Sequence, residues 1–156
     1  MIYENLPALQ VVVPLLAAPV CFLLGRGLPA YILATLVSWA SLAISIMLLG
    51  QVWDGTRLEY AFGGWEAPWG IVYVVDRLSA LVLLVVSGIG ALTLPYSWRS
   101  IQKEIPEHQH GLFYTALLLC IAGLLGIVIT GDAFNLFVLL EISSLSTYTL
   151  ISLGKD

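Results

Sequence analysis

A single carboxylic acid, Glu141, lies inside an otherwise uncharged segment near the end of the sequence. The segment from Ala133 to Leu153 has about twenty residues, which is enough for a helix that crosses a bilayer. At ~1.5 Å per residue, Glu141 lies roughly 10–12 Å below the end that Asp132 marks, well inside the hydrocarbon layer. An ionisable side chain at that depth is costly, and it usually faces protein or a water-filled path. The chemistry that it offers is proton transfer or cation attraction.

Residues three and four positions apart share one face of a helix. The face that contains Glu141 carries Phe134, Phe137, Glu141, Ser144, Tyr148 and Ser152. Ser143 and Thr147 form a second polar row. Because small hydroxyl residues allow close helix approach and hydrogen bonds between helices, we expect this segment in a helix bundle. The alternative is that Glu141 is a structural acid tied to a neighbouring helix.

Two further groups of residues could do chemistry. Asp132 could attract cations at the outer mouth, but a Gly-Asp turn before a helix is also an ordinary N-cap signal, and we favour the cap. His108 and His110 lie beside Glu107, and their spacing on a helix would point them to different faces. The pattern therefore predicts solvated loop histidines rather than a metal site.

The composition indicates a membrane protein. Of the 156 residues, 60% are hydrophobic and 10% are charged, whereas a soluble domain has about 25% charged residues. The sequence has no basic patch of the kind that would suggest a nucleic acid partner. Cys21 and Cys120 lie in apolar segments and fit no metal spacing. The sequence shows no nucleotide-binding loop, cysteine cluster or haem ligand pair, so we expect no cofactor and no enzymatic catalysis in this chain.

The fold class predicted is an all-α membrane protein with a single membrane domain over residues 1–156. Apolar runs predict five transmembrane helices, at about 6–24, 29–49, 74–94, 112–130 and 133–153. The polar stretch from Tyr96 to His110 is predicted as a loop with a short surface helix.

A short hairpin is predicted between the second and third helices. There LEYAF and GIVYVV, with strand-like composition, flank the Gly/Pro-containing GGWEAPW. Trp53, Trp65 and Trp69 would lie at headgroup level. An irregular loop is the alternative.

Basic residues in short loops predict the orientation, because they accumulate on the cytoplasmic side. The connections on the N-terminal side hold Arg57 and Arg77. Those on the other side hold Arg26, Arg99, Lys103 and Lys155. We therefore predict that the N-terminus and the hairpin are periplasmic or extracellular and that the C-terminus is inside.

Two segments resemble a known family. GDAFNLFVLLEISSLSTYTLISLG resembles the fifth transmembrane helix of the antiporter-like subunits shared by Mrp-type cation/proton antiporters and respiratory complex I. GGWEAPWGIVYVVDRLSALVLL resembles the segment after the second helix in D-type Mrp subunits. In that family the fifth helix carries a glutamate that matches Glu141. Family members have more helices, including a broken helix whose lysine pairs with this glutamate, so the resemblance implies that the chain is an N-terminal portion of a larger subunit.

The resemblance implies a translocation mechanism. Desolvation raises the pKa of a carboxylic acid and a nearby cation lowers it. A lysine that approaches Glu141 and withdraws would thus alternate its charge, with Ser144 and Tyr148 as candidate hydroxyl partners. The implied function is that of a subunit of a Na+/H+ antiporter in the plasma (inner) membrane, working with other membrane subunits. The alternatives are a proton-pumping subunit of a complex I-like oxidoreductase or hydrogenase, and a non-conducting structural fragment.

Overall fold

A computed structural model describes residues 3–25, 27–65 and 69–154. Two of the basic residues on which the orientation depends, Arg26 and Lys155, lie outside the described residues, as does the centre of the GGWEAPW segment. The side of the membrane on which each end lies stays a prediction.

Five long helices account for most of the described chain, and each is long and apolar enough to cross a membrane. In chain order they are α1 (Leu6–Leu24), α2 (Gly27–Val52), α3 (Arg77–Glu104), α4 (His110–Ile129) and α5 (Ala133–Leu153). The all-α membrane class with five apolar helices is confirmed. Helix α4 lies at the centre, because it packs against α1, α2, α3 and α5, whereas α5 packs mainly on α4.

The third helix differs from the prediction. It begins at Arg77 rather than near residue 74 and continues through Pro95 to Glu104, so a loop beginning at Tyr96 was wrong. Pro95 and the polar residues after it suggested a helix end, but Ile101 is buried in the same hydrophobic cluster as Leu94. Burial of this apolar stripe stabilises the extra turns. At ~1.5 Å per residue the helix is about 42 Å long and exceeds the hydrocarbon layer.

One of the two histidines is buried, so the prediction that both are solvated loop residues was wrong for it. His110 begins α4 and is 4% exposed, whereas His108 is exposed. The Nε2–H of His110 donates to the carbonyl of Ile105 at 2.9 Å. The ring also lies against Gly27, where an added Cβ would come 2.6 Å from Nδ1. His110 therefore ties the end of α3 to the start of α2 and α4.

Two short strands connect α2 to α3. Strands β1 (Leu58–Ala61) and β2 (Val72–Val75) pair antiparallel, with Leu58 opposite Val75. Val75 is fully buried and packs in one hydrophobic cluster with Val52 of α2, which helps to explain why α2 runs past its expected end near residue 49. The three tryptophans expected near the headgroups, Trp53, Trp65 and Trp69, are exposed.

Candidate functional site

Glu141 lies in the middle of α5 and is exposed on the outside of the five-helix bundle. Every other residue of its predicted face is exposed as well, and we call this set the α5 outer face: Phe134, Phe137, Glu141, Ser144, Tyr148 and Ser152. Within the described residues, no basic side chain forms an ion pair with Glu141. The described helices thus leave uncovered the face that carries the acid.

The opposite face of α5 fixes the rotation of the helix. Its buried residues include Leu139 and Ser143, which pack on two glycines of α4. An added Cβ at Gly123 would lie 2.8 Å from Ser143 Cβ, and one at Gly126 would lie 2.7 Å from Leu139 Cδ2. Such contacts require small residues, the usual device for close helix packing in membranes. Because α5 packs on α4 through this face, Glu141 must point away from α4.

A groove of about 240 Å³ lies between α4 and α5. It is lined by Cys120, Leu124, Ser143, Ser144, Thr147 and Tyr148. Two of these residues, Ser144 and Tyr148, are the hydroxyls expected to assist Glu141. The Oγ1–H of Thr147 donates to the carbonyl of Ser143 at 2.8 Å, and Cys120 Sγ lies 3.5 Å from Thr147 Oγ1. Ser144 and Tyr148 thus line this groove and lie on the α5 outer face with Glu141, although Glu141 is not part of the groove lining.

Asp132 is the N-cap of α5. Its carboxylate accepts hydrogen bonds from the backbone N–H of Phe134 at 3.3 Å and of Asn135 at 3.0 Å. This is the arrangement by which an acidic N-cap satisfies the free donors of a first helical turn. A role for Asp132 at an outer mouth stays a prediction.

The strand pair holds the turn before α5. The backbone N–H of Gly131 donates to the carbonyl of Val72 at 2.8 Å, and Tyr73 forms a β-bridge with Thr130. Burial raises the pKa of Tyr73, and a hydrogen bond with Asn135 acts in the opposite direction. The connection between α2 and α3 thereby sets where the acid-bearing helix begins.

The start of α3 is capped in a similar way. The backbone N–H of Ser79 donates to Asp76 Oδ1 at 2.7 Å, and the backbone N–H of Asp76 donates to Ser79 Oγ at 2.8 Å. Hydrogen bonds from the backbone and the side chain of Ser79 lower the pKa of Asp76. This reciprocal pair is a capping box, and it assigns a local structural role to an acid at the mouth of the bundle.

Sequence reasoning missed a second polar site inside the bundle. Gln10 of α1, Ser45 of α2 and Ser87 of α3 meet in what we call the core polar cluster, and each is at most 1% exposed. The Nε2–H of Gln10 donates to Ser45 Oγ at 2.8 Å, and Ser87 Oγ lies 2.9 Å from Ser45 Oγ. The regular spacing of hydroxyls along α2 was the signal that could have found it.

Comparison with known proteins identifies the family context, although no family model matches the chain. NADH-quinone oxidoreductase subunit N of Desulforudis audaxviator is 40% identical over 96% of this chain. The D-type subunit of a Na(+)/H(+) antiporter of Bacillus subtilis is 32% identical over 97% of it. This chain is therefore similar to these two subunits along nearly its whole length. It spans 30% of the length of each of these two relatives.

Two solved structures of complexes contain chains whose fold is similar to that of this chain. The Mrp complex from Dietzia sp. matches with a TM-score of 0.84 and 27% identity over 97% of this chain and 27% of the matched chain. The membrane-bound sulfane sulfur reductase, an archaeal respiratory membrane complex, matches with a TM-score of 0.82 and 27% identity over 97% of this chain and 31% of the matched chain. The resemblance expected from the α5 and GGWEAPW segments is therefore confirmed, and it includes both the Mrp and the complex I-like branch.

Proposed function

We propose that this chain is part of a subunit of a multisubunit Na+/H+ antiporter and that Glu141 contributes the proton-exchanging carboxylate of its translocation path. The protein would act in the cell membrane with other membrane subunits, and Na+ and H+ would be the ions moved. The named antiporter relative from Bacillus subtilis and the likeness to the Mrp complex support this assignment.

The observation that carries the proposal is the exposure of Glu141 in the middle of a helix that is long and apolar enough to cross a membrane. A carboxylate facing lipid at that depth is costly, so intramembrane acids almost always face the interior of a bundle or a water-filled cavity. We therefore infer that further protein covers the α5 outer face, so that Glu141 would lie at a junction between two packed units rather than at the lipid surface. A path between two packed units is a suitable position for an acid that exchanges protons.

At such a junction, the protonation of Glu141 would be coupled to the movement of a nearby cation. A carboxyl group removed from water prefers to be neutral, and a cation brought beside it restores the charged form. None of the five helices has a lysine or arginine in its central turns. The cation must therefore come from the protein that covers the α5 outer face. A basic group of that protein would control whether Glu141 is charged or protonated.

A second function is favoured by a specific observation. The relative with 40% identity is a subunit of an NADH-quinone oxidoreductase, and one of the matching structures is a respiratory membrane complex. In such an assembly the same acid would respond to redox events, and catalysis would lie in partner subunits. Proton flux that requires electron transfer, rather than a Na+ gradient, would favour this function.

The test is Glu141→Gln in the full-length subunit within its assembled complex. This substitution keeps the shape and removes the titratable charge. We expect normal complex abundance and a loss of cation-dependent proton exchange of roughly a hundredfold, the low end of what a positioned proton-transfer group contributes. Glu141→Asp should retain partial exchange, because it keeps the charge but withdraws it by one methylene.

The matched control is Glu107→Gln, which removes an exposed carboxylate outside the long helices and should leave exchange unchanged. If Glu141 were only a structural acid, removing it would strand a buried partner at a cost of about 3–5 kcal/mol. The Glu141→Gln protein would then be scarce but normally active per complex. Normal abundance with normal exchange would contradict both roles.

A further inference from the structure

The polar surface inside the bundle extends beyond the core polar cluster. Further buried oxygens have no hydrogen-bond partner among the described residues: Gln10 Oε1, Thr35 Oγ1, Ser38 Oγ, Ser41 Oγ and Tyr114 Oη. Ser38 and Ser41 are 2% and 0% exposed, so lipid cannot reach them. Three of these residues follow one another at three-residue steps along α2 and lead directly to Ser45, one turn further on. They form one continuous row with the cluster.

Pro14 leaves a backbone carbonyl at the same place without its regular donor. In a helix the N–H of residue 14 would donate to the carbonyl of residue 10, but proline has no N–H. Pro14 is fully buried inside α1, so the backbone oxygen of Gln10 loses its regular donor in the interior of the bundle. Gln10 therefore presents two acceptors, its side-chain Oε1 and its backbone carbonyl, close to the hydroxyl row of α2.

We propose that ordered water binds between α1 and α2, bridging the oxygens of Gln10 to the hydroxyl of Ser41, which lies one turn from the Ser45 that Gln10 contacts. A buried polar group without a partner is strongly unfavourable. Buried waters typically make about three hydrogen bonds to such groups. The two oxygens of Gln10 can each accept a hydrogen bond from the water, and the hydroxyl of Ser41 can accept or donate one, which meets this requirement.

Water fits the site better than a cation. Every side chain of the row is neutral, and neither α1 nor α2 contains an acidic residue. A bound metal ion would bury an uncompensated charge, which is far more costly than burying a neutral molecule. The site is also separate from the α5 outer face, since it lies between other helices, so it does not depend on the role of Glu141.

The direct test is a cryo-EM map of the full-length subunit in its complex, in lipid nanodiscs, at a resolution that shows ordered water. We expect a density peak within hydrogen-bond distance, about 2.7–3.2 Å, of Ser41 Oγ and of an oxygen of Gln10. In a Ser41→Ala map this peak should weaken or vanish. Well-ordered side chains with no peak between them would overturn the proposal.

The sign of a stability change gives an independent test. If water bridges the site, Ser41→Ala removes one of its partners and lowers the Tm of the complex. If the row is dry, the same substitution deletes an unsatisfied hydroxyl and raises the Tm. Ser100→Ala, at an exposed position of α3, is the control and should leave the Tm unchanged. A Tm that rises when Na+ replaces choline, with the rise lost in Ser41→Ala, would show a cation site and overturn the water proposal.

Discussion

The α5 outer face and the core polar cluster are both polar regions within membrane-spanning helices, yet they differ in charge and in burial. The cluster is neutral, sealed among α1, α2 and α3, and hydrogen-bonded within the bundle. The outer face carries a carboxyl group and is uncovered. Neutral polar groups can be satisfied by neighbouring helices at modest cost, whereas an ionisable group needs a cation or water. The first kind of site therefore helps the bundle to pack, and the second agrees with the proposed position of Glu141 against further protein.

The strongest test of this contrast changes the contact through which α5 packs on α4. Gly123→Ala places a Cβ 2.8 Å from Ser143 Cβ and 3.0 Å from the backbone carbonyl of Leu139, so the helices must separate. We expect a loss of about 1–3 kcal/mol of stability from overpacking, together with reduced ion exchange because Glu141 is displaced. Thermal unfolding and exchange assays on the assembled complex would measure both effects.

Gly88→Ala is the matched control for that substitution. An added Cβ there has Leu42 Cδ1 as its nearest atom, at 3.9 Å, which is ordinary contact. The variant should be as stable as the parent protein or slightly more stable, because alanine is the better helix former. Equal stability of the Gly123 and Gly88 variants would show that α5 does not pack on α4 through the contact of Gly123 with Ser143.

A double-mutant cycle would test whether the core polar cluster can be replaced by apolar residues. Ser45→Ala leaves the buried amide of Gln10 without its acceptor and should cost about 1–3 kcal/mol. Gln10→Leu combined with Ser45→Ala removes both partners, so we expect a cost well below the sum of the two single substitutions. Strict additivity in thermal or chemical unfolding would mean that the two side chains do not interact.

Substitutions of the N-cap Asp132 can separate its contribution to stability from a role in ion exchange. Asp132→Ala should destabilise the protein by about 1 kcal/mol, while Asp132→Asn, also a good cap, should be nearly neutral. Both variants should keep normal exchange per assembled complex if Asp132 only caps the helix. Reduced exchange in the stable Asn variant would instead assign it a role at the outer mouth.

The smallest expected effect is a pH dependence at Asp76. Its pKa is lowered by hydrogen bonds from Ser79, so the native state favours the charged form. The resulting stabilisation is present above the unfolded-state pKa of about 3.9 and is lost as the pH falls through the lower native value. Asp76→Asn should remove this part of the acid dependence, which Tm measurements of the two proteins at neutral and acidic pH would detect. Parallel acid profiles would contradict the assignment.

The sequence by itself determined the membrane class, the five helices, the face of α5 that holds Glu141 and the resemblance to antiporter-like subunits. These features follow from local patterns: long apolar runs, three-and-four spacing, and one acid at a fixed depth. The Gly-Asp signal before α5 similarly predicted the cap that Asp132 forms. Each of them depends on neighbours along the chain.

Only the tertiary structure decided the end of α3, the burial of His110, the core polar cluster and the outward direction of Glu141. Local signals favoured a helix end near Pro95, but Ile101 lies in a hydrophobic cluster that includes residues of α1, α2 and α4. Similarly, three-and-four spacing shows which residues share a face of α5 but not which neighbour the face meets. The close contact of Gly123 with Ser143 settles that point, because contacts between residues far apart in the chain determine how a helix is rotated.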